Sequence, residues 1–293
     1  MQTRPVIVIT GATNGLGKIA ALDLARHGAH LGLVARSQRK ADALRREIEE
    51  ATPGTPLDVF IADLSLLSDV RRVGKQIDAH YPRIDVLINN AGIHAFTQRI
   101  TSEGYAEMTA VNYLAPWLLT DILRDKLTAS SPARIVTVAS RASLHASDID
   151  PFKDLTDTSH YTESESSPRY GQTKLMDIMF TQELGRQLDG TGVAVTCCCP
   201  GFNSTGLGDG HPLSTVLKMI LTRLDMGNPR HGAEIIVRLA TDPAFASVTG
   251  GYFAVEDAQP LECPEIGRDK EIQRALWEAT ANLLRDIREP HAV

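Results

Sequence analysis

Tyr170 and Lys174 stand four residues apart in a stretch with a helical pattern, so their side chains share one face of that helix. A free tyrosine has a pKa of about 10, which is too high for efficient proton transfer at neutral pH. A lysine ammonium about 4 Å away, at an effective dielectric constant of about 20, is enough by itself to lower that pKa by about three units. The pair therefore predicts a tyrosine that transfers protons with the help of a lysine.

Ser140 is a third candidate catalytic residue, because it ends an apolar run of the kind that forms a buried strand, from Ile135 to Ala139. Open α/β sheets bind ligands at the carboxyl ends of their strands, which is where Ser140 would lie. Ser143 is a neighbouring candidate for the same position, but it lies past the strand end. No residue set typical of a metal site or a covalent intermediate accompanies these three, so we predict no metal.

A glycine-rich turn follows the first apolar run of the chain and precedes a helical pattern. Its residues are Thr10, Gly11, Ala12, Thr13, Asn14, Gly15, Leu16 and Gly17. Glycines permit a tight turn and let backbone N–H groups approach a pyrophosphate at the positive end of the helix. Glycines also cap helices, but the placement between strand and helix favours a nucleotide-binding loop over a bare turn.

Short β-branched runs alternate with longer helical patterns along the chain. The predicted strands are Val6–Thr10, His30–Ala35, Leu57–Ala62, Ile84–Asn89, Arg134–Ala139, Val193–Cys198 and Tyr252–Val255. The predicted helices are Gly15–His27, Gln38–Glu50, Leu66–His80, Glu107–Leu127 (with a kink or break at Pro116) and Tyr170–Leu188. This alternation predicts an α/β fold: a single-domain Rossmann fold over residues 1–293, doubly wound, with a mostly seven-stranded parallel sheet and helices on both faces.

The composition excludes several classes of protein. The 293 residues carry a net charge of −6, which argues against nucleic acid as the main partner. No stretch reaches the roughly 18 apolar residues that a membrane-spanning helix needs. The cysteines at 197, 198, 199 and 263 lack the spacing of a zinc site, and we interpret the three adjacent ones as small buried hydrophobes. We therefore expect a cytoplasmic protein without an integral membrane segment.

The chain resembles the short-chain dehydrogenase/reductase family. The spacing Thr-Gly-x-x-x-Gly-x-Gly in the glycine turn matches that family, and its other motifs recur in order: Asp63-Leu64, Asn89-Asn90-Ala91-Gly92, Asn112, Ser140, Tyr170 with Lys174, and Pro200-Gly201 with Thr205. The tail, with Gly251-Tyr252-Phe253 and Leu276-Trp277-Glu278, is similar to the retinol-dehydrogenase-like subgroup. The resemblance covers the chain to at least residue 205.

The resemblance implies the roles of these residues. Ser140 would hydrogen-bond the substrate oxygen, Tyr170 would transfer the proton, Lys174 would also grip the nicotinamide ribose, and Asn112 would hold a water between Lys174 and solvent. Hydride would pass directly between nicotinamide C4 and the substrate carbon. The implied cofactor-binding residues are Gly11, Thr13, Asn14, Gly15, Leu16, Gly17, Arg36, Asp63, Leu64, Asn90, Ala91, Gly92, Tyr170, Lys174, Pro200, Gly201 and Thr205.

The end of the second strand favours NADP(H) over NAD(H). Enzymes that bind NAD tend to carry an acid there, whereas this chain reads Val34-Ala35-Arg36-Ser37. A charge-assisted hydrogen bond from Arg36 to the 2′-phosphate is worth about 1.5–3 kcal/mol, a preference of roughly ten- to hundredfold. Asp63 has two interpretations of nearly equal weight, a contact to the adenine ring and the N-cap of the next helix.

A segment over about residues 202–229 is predicted to be a substrate lid, because glycines precede an amphipathic helical stripe. Ordinary packing of that stripe on the sheet is the alternative. His94, Phe96, His145 and Tyr161 are possible pocket-lining residues, although each is more typical of packing or surface.

We therefore predict an NADPH-dependent oxidoreductase, a ketone or aldehyde reductase or alcohol dehydrogenase acting on a hydrophobic small-molecule carbonyl or alcohol, with a role in secondary metabolism as one option. Oxidation of a retinol-like or steroid-like secondary alcohol is the alternative. A non-catalytic NADP-binding regulator is the alternative from another class. A homodimer is an expectation from the resemblance.

Overall fold

A computed structural model describes residues 4–146, 148–201 and 228–285. Within them, seven strands form one sheet in the order β3-β2-β1-β4-β5-β6-β7, and every neighbouring pair is parallel. The strands are Val6–Thr10 (β1), His30–Ala35 (β2), Leu57–Ile61 (β3), Val86–Asn89 (β4), Ala133–Val138 (β5), Val193–Cys199 (β6) and Gly251–Ala254 (β7). The predicted Rossmann fold is confirmed, and the chain forms a single domain.

Helices cover both faces of this sheet. They are Gly15–Arg26 (α1), Gln38–Ala51 (α2), Leu67–His80 (α3), Glu107–Thr109 (α4), Ala115–Ala129 (α5), Glu163–Gln187 (α6), Pro229–Thr241 (α7), Glu265–Arg268 (α8) and Lys270–Arg285 (α9). Two hydrophobic cores result, one under α3, α5, α6 and α9 and the other under α1, α2 and α7. Alternate strand residues enter opposite cores, as Val8 and Ile9 of β1 do, because successive side chains of a strand point to opposite faces.

The strand order reverses between β1 and β4, and hydrogen bonds tie the ends of these two strands together. The Thr10 hydroxyl accepts the backbone N–H groups of Asn90 and Ala91, each at 3.0 Å. In return, Asn90 Nδ2 donates to the Thr10 carbonyl oxygen at 2.8 Å. Doubly wound sheets bind their ligands at such a switch point, so these bonds shape the rim of the site.

The largest difference from the predicted elements is the start of α6. The predicted helix began at Tyr170, but the observed helix begins seven residues earlier, at Glu163. A capping box at Thr162 explains the difference, since the Glu165 carboxylate accepts the Thr162 backbone N–H and hydroxyl, both at 2.7 Å. The two added turns anchor the segment that carries Tyr170.

The predicted interruption at Pro116 takes the form of a π-helical turn over Ala110–Leu114, followed by α5 with Pro116 in its first turn. Proline has no N–H to donate to the carbonyl four residues earlier, which belongs to Asn112, so the α-helical ladder is broken there. The π turn re-aims Asn112 toward the site described below.

Three α-helices of the described residues were not predicted from the sequence, α7, α8 and α9. Residues 202–227 of the predicted lid, Thr205 among them, lie outside the described residues. Across the three described ranges, we find no helix with the length and apolar character of a membrane span. The three adjacent cysteines are buried, with Cys197 and Cys199 in one core and Cys198 in the other, as small hydrophobes in a strand should be.

Replacing Thr10 by valine tests whether the β1–β4 tie stabilises the fold. Thr10→Val removes the hydroxyl that accepts two half-buried backbone N–H groups, one of which also donates to the Ile88 carbonyl, so we expect the free energy of unfolding to fall by about 1–3 kcal/mol. Thr137→Val on β5 is the matched control, because that buried hydroxyl has no hydrogen-bond partner among the described residues. We expect the control to be neutral or stabilising in urea unfolding. Equal losses for both variants would contradict this account.

Candidate active site

Tyr170 and Ser140 meet at the carboxyl end of β5. Ser140 lies two residues after that strand and caps a 3-10 turn over Arg141–His145, where its hydroxyl accepts the Ala142 N–H at 3.1 Å. The Ser140 and Tyr170 side chains are hydrogen-bonded to each other. Gly171 makes this approach possible, since any Cβ there would collide with the carbonyl oxygen of Ala142. Gly171 was not singled out from the sequence, although it stands next to the tyrosine.

Lys174 lies one turn beyond Tyr170 on α6 and is 97% shielded from solvent, with a relative exposure of 3%. Its ammonium Nζ donates to the Val138 carbonyl oxygen at 2.8 Å and to Asp177 Oδ2 at 2.8 Å. The same Nζ lies 5.9 Å from the centroid of the Tyr170 ring. Backbone from β5 and a carboxylate from α6 therefore hold the ammonium beside the tyrosine.

Asn112 projects from the π-helical turn into the same site. Its Oδ1 accepts the Ile93 N–H at 2.8 Å, while its Nδ2 donates to the Ile93 carbonyl at 2.9 Å and to the Thr173 hydroxyl at 3.0 Å. A Cβ at Gly92 would lie 3.5 Å from Asn112 Oδ1 and 3.6 Å from Lys174 Nζ. The structure thus brings Asn112, Lys174 and the turn after β4 together around a glycine.

The electrostatics of Tyr170 correct one expectation from the sequence. Burial of the phenol raises the pKa of Tyr170. The Lys174 ammonium and the Ser140 hydrogen bond lower this pKa, whereas the nearby Asp177 and Cys199 raise it. The net shift of the Tyr170 pKa is upward. The expectation that Lys174 by itself tunes the tyrosine was wrong for the free protein, because it left out the burial of the phenol and the carboxylate of Asp177.

The glycine turn has the shape that a pyrophosphate needs. Gly11 adopts a φ of +69°, and a Cβ on it would lie 2.9 Å from Ala91 Cα. A Cβ on Gly17 would collide with the Asn90 side chain. Asn14 occupies the N-cap of α1 without a side-chain cap, and the first turn carries no acidic residue. Free N–H groups and the positive helix end therefore face this turn, which fits the phosphates of a dinucleotide.

The other predicted cofactor residues lie around this turn or along the sheet edge. Arg36 is exposed immediately after β2, and Leu16 is buried behind the turn, with Thr13 and Gly15 half-buried. The half-buried residues Ala91 and Gly92 follow β4, and Pro200 and Gly201 follow β6. The carboxyl ends of β1, β2, β4 and β6 thus bring these residues to one edge, while Thr205 is outside the described residues.

The helix-capping interpretation of Asp63 was wrong. Leu66, not Asp63, is the N-cap of α3. The Asp63 carboxylate instead accepts the Ser65 N–H at 3.0 Å and the Ser65 hydroxyl at 2.8 Å, an Asx turn that follows β3. Leu64 packs against the core beside it. The contact of Asp63 to an adenine ring stays a prediction.

One of the four possible pocket-lining residues, His94, lies against Tyr170, and a second, Phe96, lies against His94. The His94 ring stacks on the Tyr170 ring with centroids 4.8 Å apart, and the Phe96 ring is tilted against His94 with centroids also 4.8 Å apart. Burial lowers the pKa of His94, which keeps the imidazole neutral. Tyr161 is a packing residue whose hydroxyl donates to the Ala95 carbonyl at 2.9 Å, and His145 is exposed.

Ser143, the alternative to Ser140, is buried in the 3-10 turn, and its hydroxyl has no partner among the described residues. The hydrogen bond to Tyr170 comes from Ser140. Asp177, like Gly171, is a residue of this site that was not predicted from the sequence. Its spacing of three from Lys174 on one helix was the available signal.

Across the described residues, no group of three or more histidine, cysteine, aspartate or glutamate side chains is placed to hold a metal ion. The hydroxyl, phenol and ammonium groups of the site can instead bind an oxygen and move a proton to or from it. The glycine turn opens at the same edge of the sheet as this cluster.

Comparisons with known proteins agree with this arrangement. The family profile described as short chain dehydrogenase matches residues 5–149. Human retinol dehydrogenase 13 is 35% identical over 285 residues, which cover 95% of this chain and 84% of that protein. A protein of Streptomyces sp. (strain C5), provisionally named daunorubicin C-13 ketoreductase DnrU, is 32% identical over 280 residues, covering 96% of this chain and 92% of that protein.

A solved structure of an uncharacterized protein from Mycobacterium paratuberculosis is similar over 97% of this chain and 94% of that chain, with a TM-score of 0.75 and 28% sequence identity. The fold, the ordered motifs and the extent of similarity to the relatives lead to one assignment. The chain belongs to the short-chain dehydrogenase/reductase family, is an oxidoreductase of the retinol-dehydrogenase-like kind, and has the fold that binds a nicotinamide cofactor.

Proposed function

We propose that this protein is an NADP(H)-dependent oxidoreductase that interconverts a hydrophobic alcohol and its carbonyl compound. The observation that carries the proposal is the position of the Tyr170 side chain. It is hydrogen-bonded to Ser140 and lies beside the buried Lys174 ammonium, at the sheet edge where the glycine turn also opens. This combination serves a reaction that needs one proton and one hydride at neighbouring atoms of the same substrate.

In the proposed mechanism, a bound nicotinamide supplies the hydride donor or acceptor. Ser140 hydrogen-bonds the substrate oxygen and orients it toward Tyr170. In reduction the Tyr170 hydroxyl gives its proton to that oxygen, and in oxidation the phenolate takes the alcohol proton back. Lys174 stabilises the phenolate and holds the nicotinamide ribose. Asn112, whose side chain is fixed by its bonds to the backbone after β4 and to Thr173, would hold a water between Lys174 and solvent.

The substrate proposal rests on the relatives and on the aromatic groups beside Tyr170. The relatives named as retinol dehydrogenases favour an alcohol of the retinoid kind, and the Streptomyces relative's name favours a ketone. Retinol and retinal are therefore the first pair to test, followed by hydrophobic ketones. Retention of Ser140, Tyr170 and Lys174 in one cluster opposes a non-catalytic regulator. The homodimer and the cytoplasmic location stay predictions.

Arg36 supports NADP(H) as the cofactor, because it is exposed directly after β2, where the chain has no acid. We expect Arg36→Ala to weaken NADPH binding by about ten- to hundredfold and to leave NADH binding unchanged. Fluorescence titration with each cofactor measures this. Arg45→Ala, an exposed arginine further along α2, is the matched control and should affect neither. Equal effects of Arg36→Ala on both cofactors would remove the NADP assignment.

Replacing Tyr170 by phenylalanine tests the proton-transfer role. Tyr170→Phe removes the hydroxyl and keeps the ring stacked on His94, so we expect turnover to fall at least about 100-fold while NADPH still binds. NADPH consumption with retinal and a panel of hydrophobic ketones and aldehydes gives turnover, and fluorescence titration gives binding.

Tyr161→Phe is the control for that variant, because within the described part of the chain the Tyr161 hydroxyl bonds only to backbone carbonyls in the loop that carries His94. It should retain most of the wild-type turnover. A Tyr170→Phe variant that keeps more than about a tenth of the wild-type rate would show that another group transfers the proton.

A further inference from the structure

Asp177 is a buried carboxylate beside the proton-transfer pair. Its relative exposure is 1%, and its Oδ2 accepts a hydrogen bond from Lys174 Nζ at 2.8 Å. Its second oxygen, Oδ1, is buried without a hydrogen-bond partner among the described residues. A buried carboxylate with one oxygen unpaired destabilises a fold, so core packing alone does not account for its presence.

The Asp177 carboxylate affects both the position and the charge of the Lys174 ammonium. Lys174 donates to Asp177 and to the Val138 carbonyl, which together fix the direction of its side chain at the end of β5. The ion pair also leaves the Lys174–Asp177 unit with no net charge. Without the Asp177 carboxylate, the Lys174 ammonium would stabilise the Tyr170 phenolate with its full charge. With the carboxylate present, the two opposite charges largely cancel, and the remaining effect depends on how much closer the ammonium is to Tyr170 than the carboxylate is.

The other ionisable groups around the Lys174–Asp177 pair are uncharged at neutral pH or affect Tyr170 less than Asp177 does. On β6, burial raises the pKa of the thiols of Cys197 and Cys198, and the Cys199 thiol faces Tyr170. On the π-helical turn, burial raises the pKa of Tyr113. The turn after β4 contributes His94, whose pKa is lowered by burial. Asp177 is thus the carboxylate that acts on both Lys174 and Tyr170.

We propose that Asp177 is a positioning residue for the reaction: its carboxylate holds the Lys174 ammonium at the end of β5 and offsets its charge, so that Tyr170 keeps its proton in the free protein. This inference rests on the proposed function, in which Tyr170 is the group that transfers the proton. It assigns Asp177 control over the pH range in which the two directions of the reaction run.

The sign of the effect follows from the protonation state that each direction needs. Carbonyl reduction requires the protonated phenol, so its rate is lost as pH rises through the pKa of Tyr170. Alcohol oxidation requires the phenolate, so its rate appears only above that pKa. Removing the negative charge of Asp177 lowers the pKa of Tyr170. The loss of the reduction rate and the appearance of the oxidation rate then both move to lower pH, and oxidation increases relative to reduction near neutrality.

Asp177→Asn is the decisive variant, because asparagine keeps the size and one acceptor oxygen while removing the charge. The ionisation of Tyr170 is followed directly by the near-ultraviolet absorbance of the phenolate, with the Tyr170→Phe variant of each protein subtracted. Titrations run without cofactor and with saturating NADP+. We expect the Tyr170 midpoint of Asp177→Asn to lie about 1–2 pH units below that of the wild type.

Glu183→Gln is the matched control. Glu183 is a buried carboxylate on the same helix that pairs with Arg186 three residues on, as Asp177 lies three residues from Lys174, but it is far along α6 from Tyr170. It should leave the Tyr170 midpoint unchanged. If Asp177→Asn does not fold, Asp177→Ser removes the same charge, leaves room for a water, and is measured in its place.

An unchanged or higher Tyr170 midpoint in the Asp177 variant would overturn the inference. So would the absence of a Tyr170 phenolate signal from both the wild type and the variant up to the highest pH at which they stay folded. The readout does not depend on turnover. A shifted midpoint in a protein without oxidoreductase activity would leave the role of Asp177 standing and refute the proposed function, whereas turnover with an unshifted midpoint would refute the role of Asp177 alone.

Discussion

A lysine ammonium buried at the end of β5 is the constraint on which the site depends. Lys174 is ionised inside the protein because Asp177 and the Val138 carbonyl accept its hydrogen bonds, and the pKa of Lys174 is raised although burial opposes its charge. A buried cation needs partners in fixed places, and those partners come from a strand end and a helix. Tyr170, one turn away, therefore has an electrostatic environment that the fold sets.

The rest of the fold forms the sheet edge at which we propose that a dinucleotide and a substrate oxygen bind beside that cation. The reversal of strand order between β1 and β4 opens the sheet edge, and the Thr10–Asn90 bonds hold its rim. Gly11 and Gly17 let the turn before α1 pack closely against Asn90 and Ala91, and Gly171 lets α6 approach the turn that carries Ser140. Close packing at these three glycines thus positions the turns and the helix that form the proposed site.

The sequence predicted the seven strands to within two residues at each end, because buried β-branched runs between turns are unambiguous in an α/β chain. It missed the start of α6, where a capping box at Thr162 outweighs the low helix propensity of the serines and of Pro168. The catalytic candidates could be identified from spacing. The spacing of three from Lys174 pointed to Asp177, but its burial could not be identified, because spacing does not show whether a helix face is buried. Neither could the direction of the Tyr170 pKa, which depends on that burial.

We propose that one nicotinamide dinucleotide spans the glycine turn and reaches Tyr170 and Lys174. A crystal structure of the protein with NADP+ tests it most directly and needs no knowledge of the substrate. The account predicts the pyrophosphate at the N-terminus of α1, the 2′-phosphate at Arg36 and the nicotinamide ribose within hydrogen-bonding distance of Lys174 Nζ. A dinucleotide seated away from the glycine turn, or a Lys174 side chain turned away from the ribose, would contradict it.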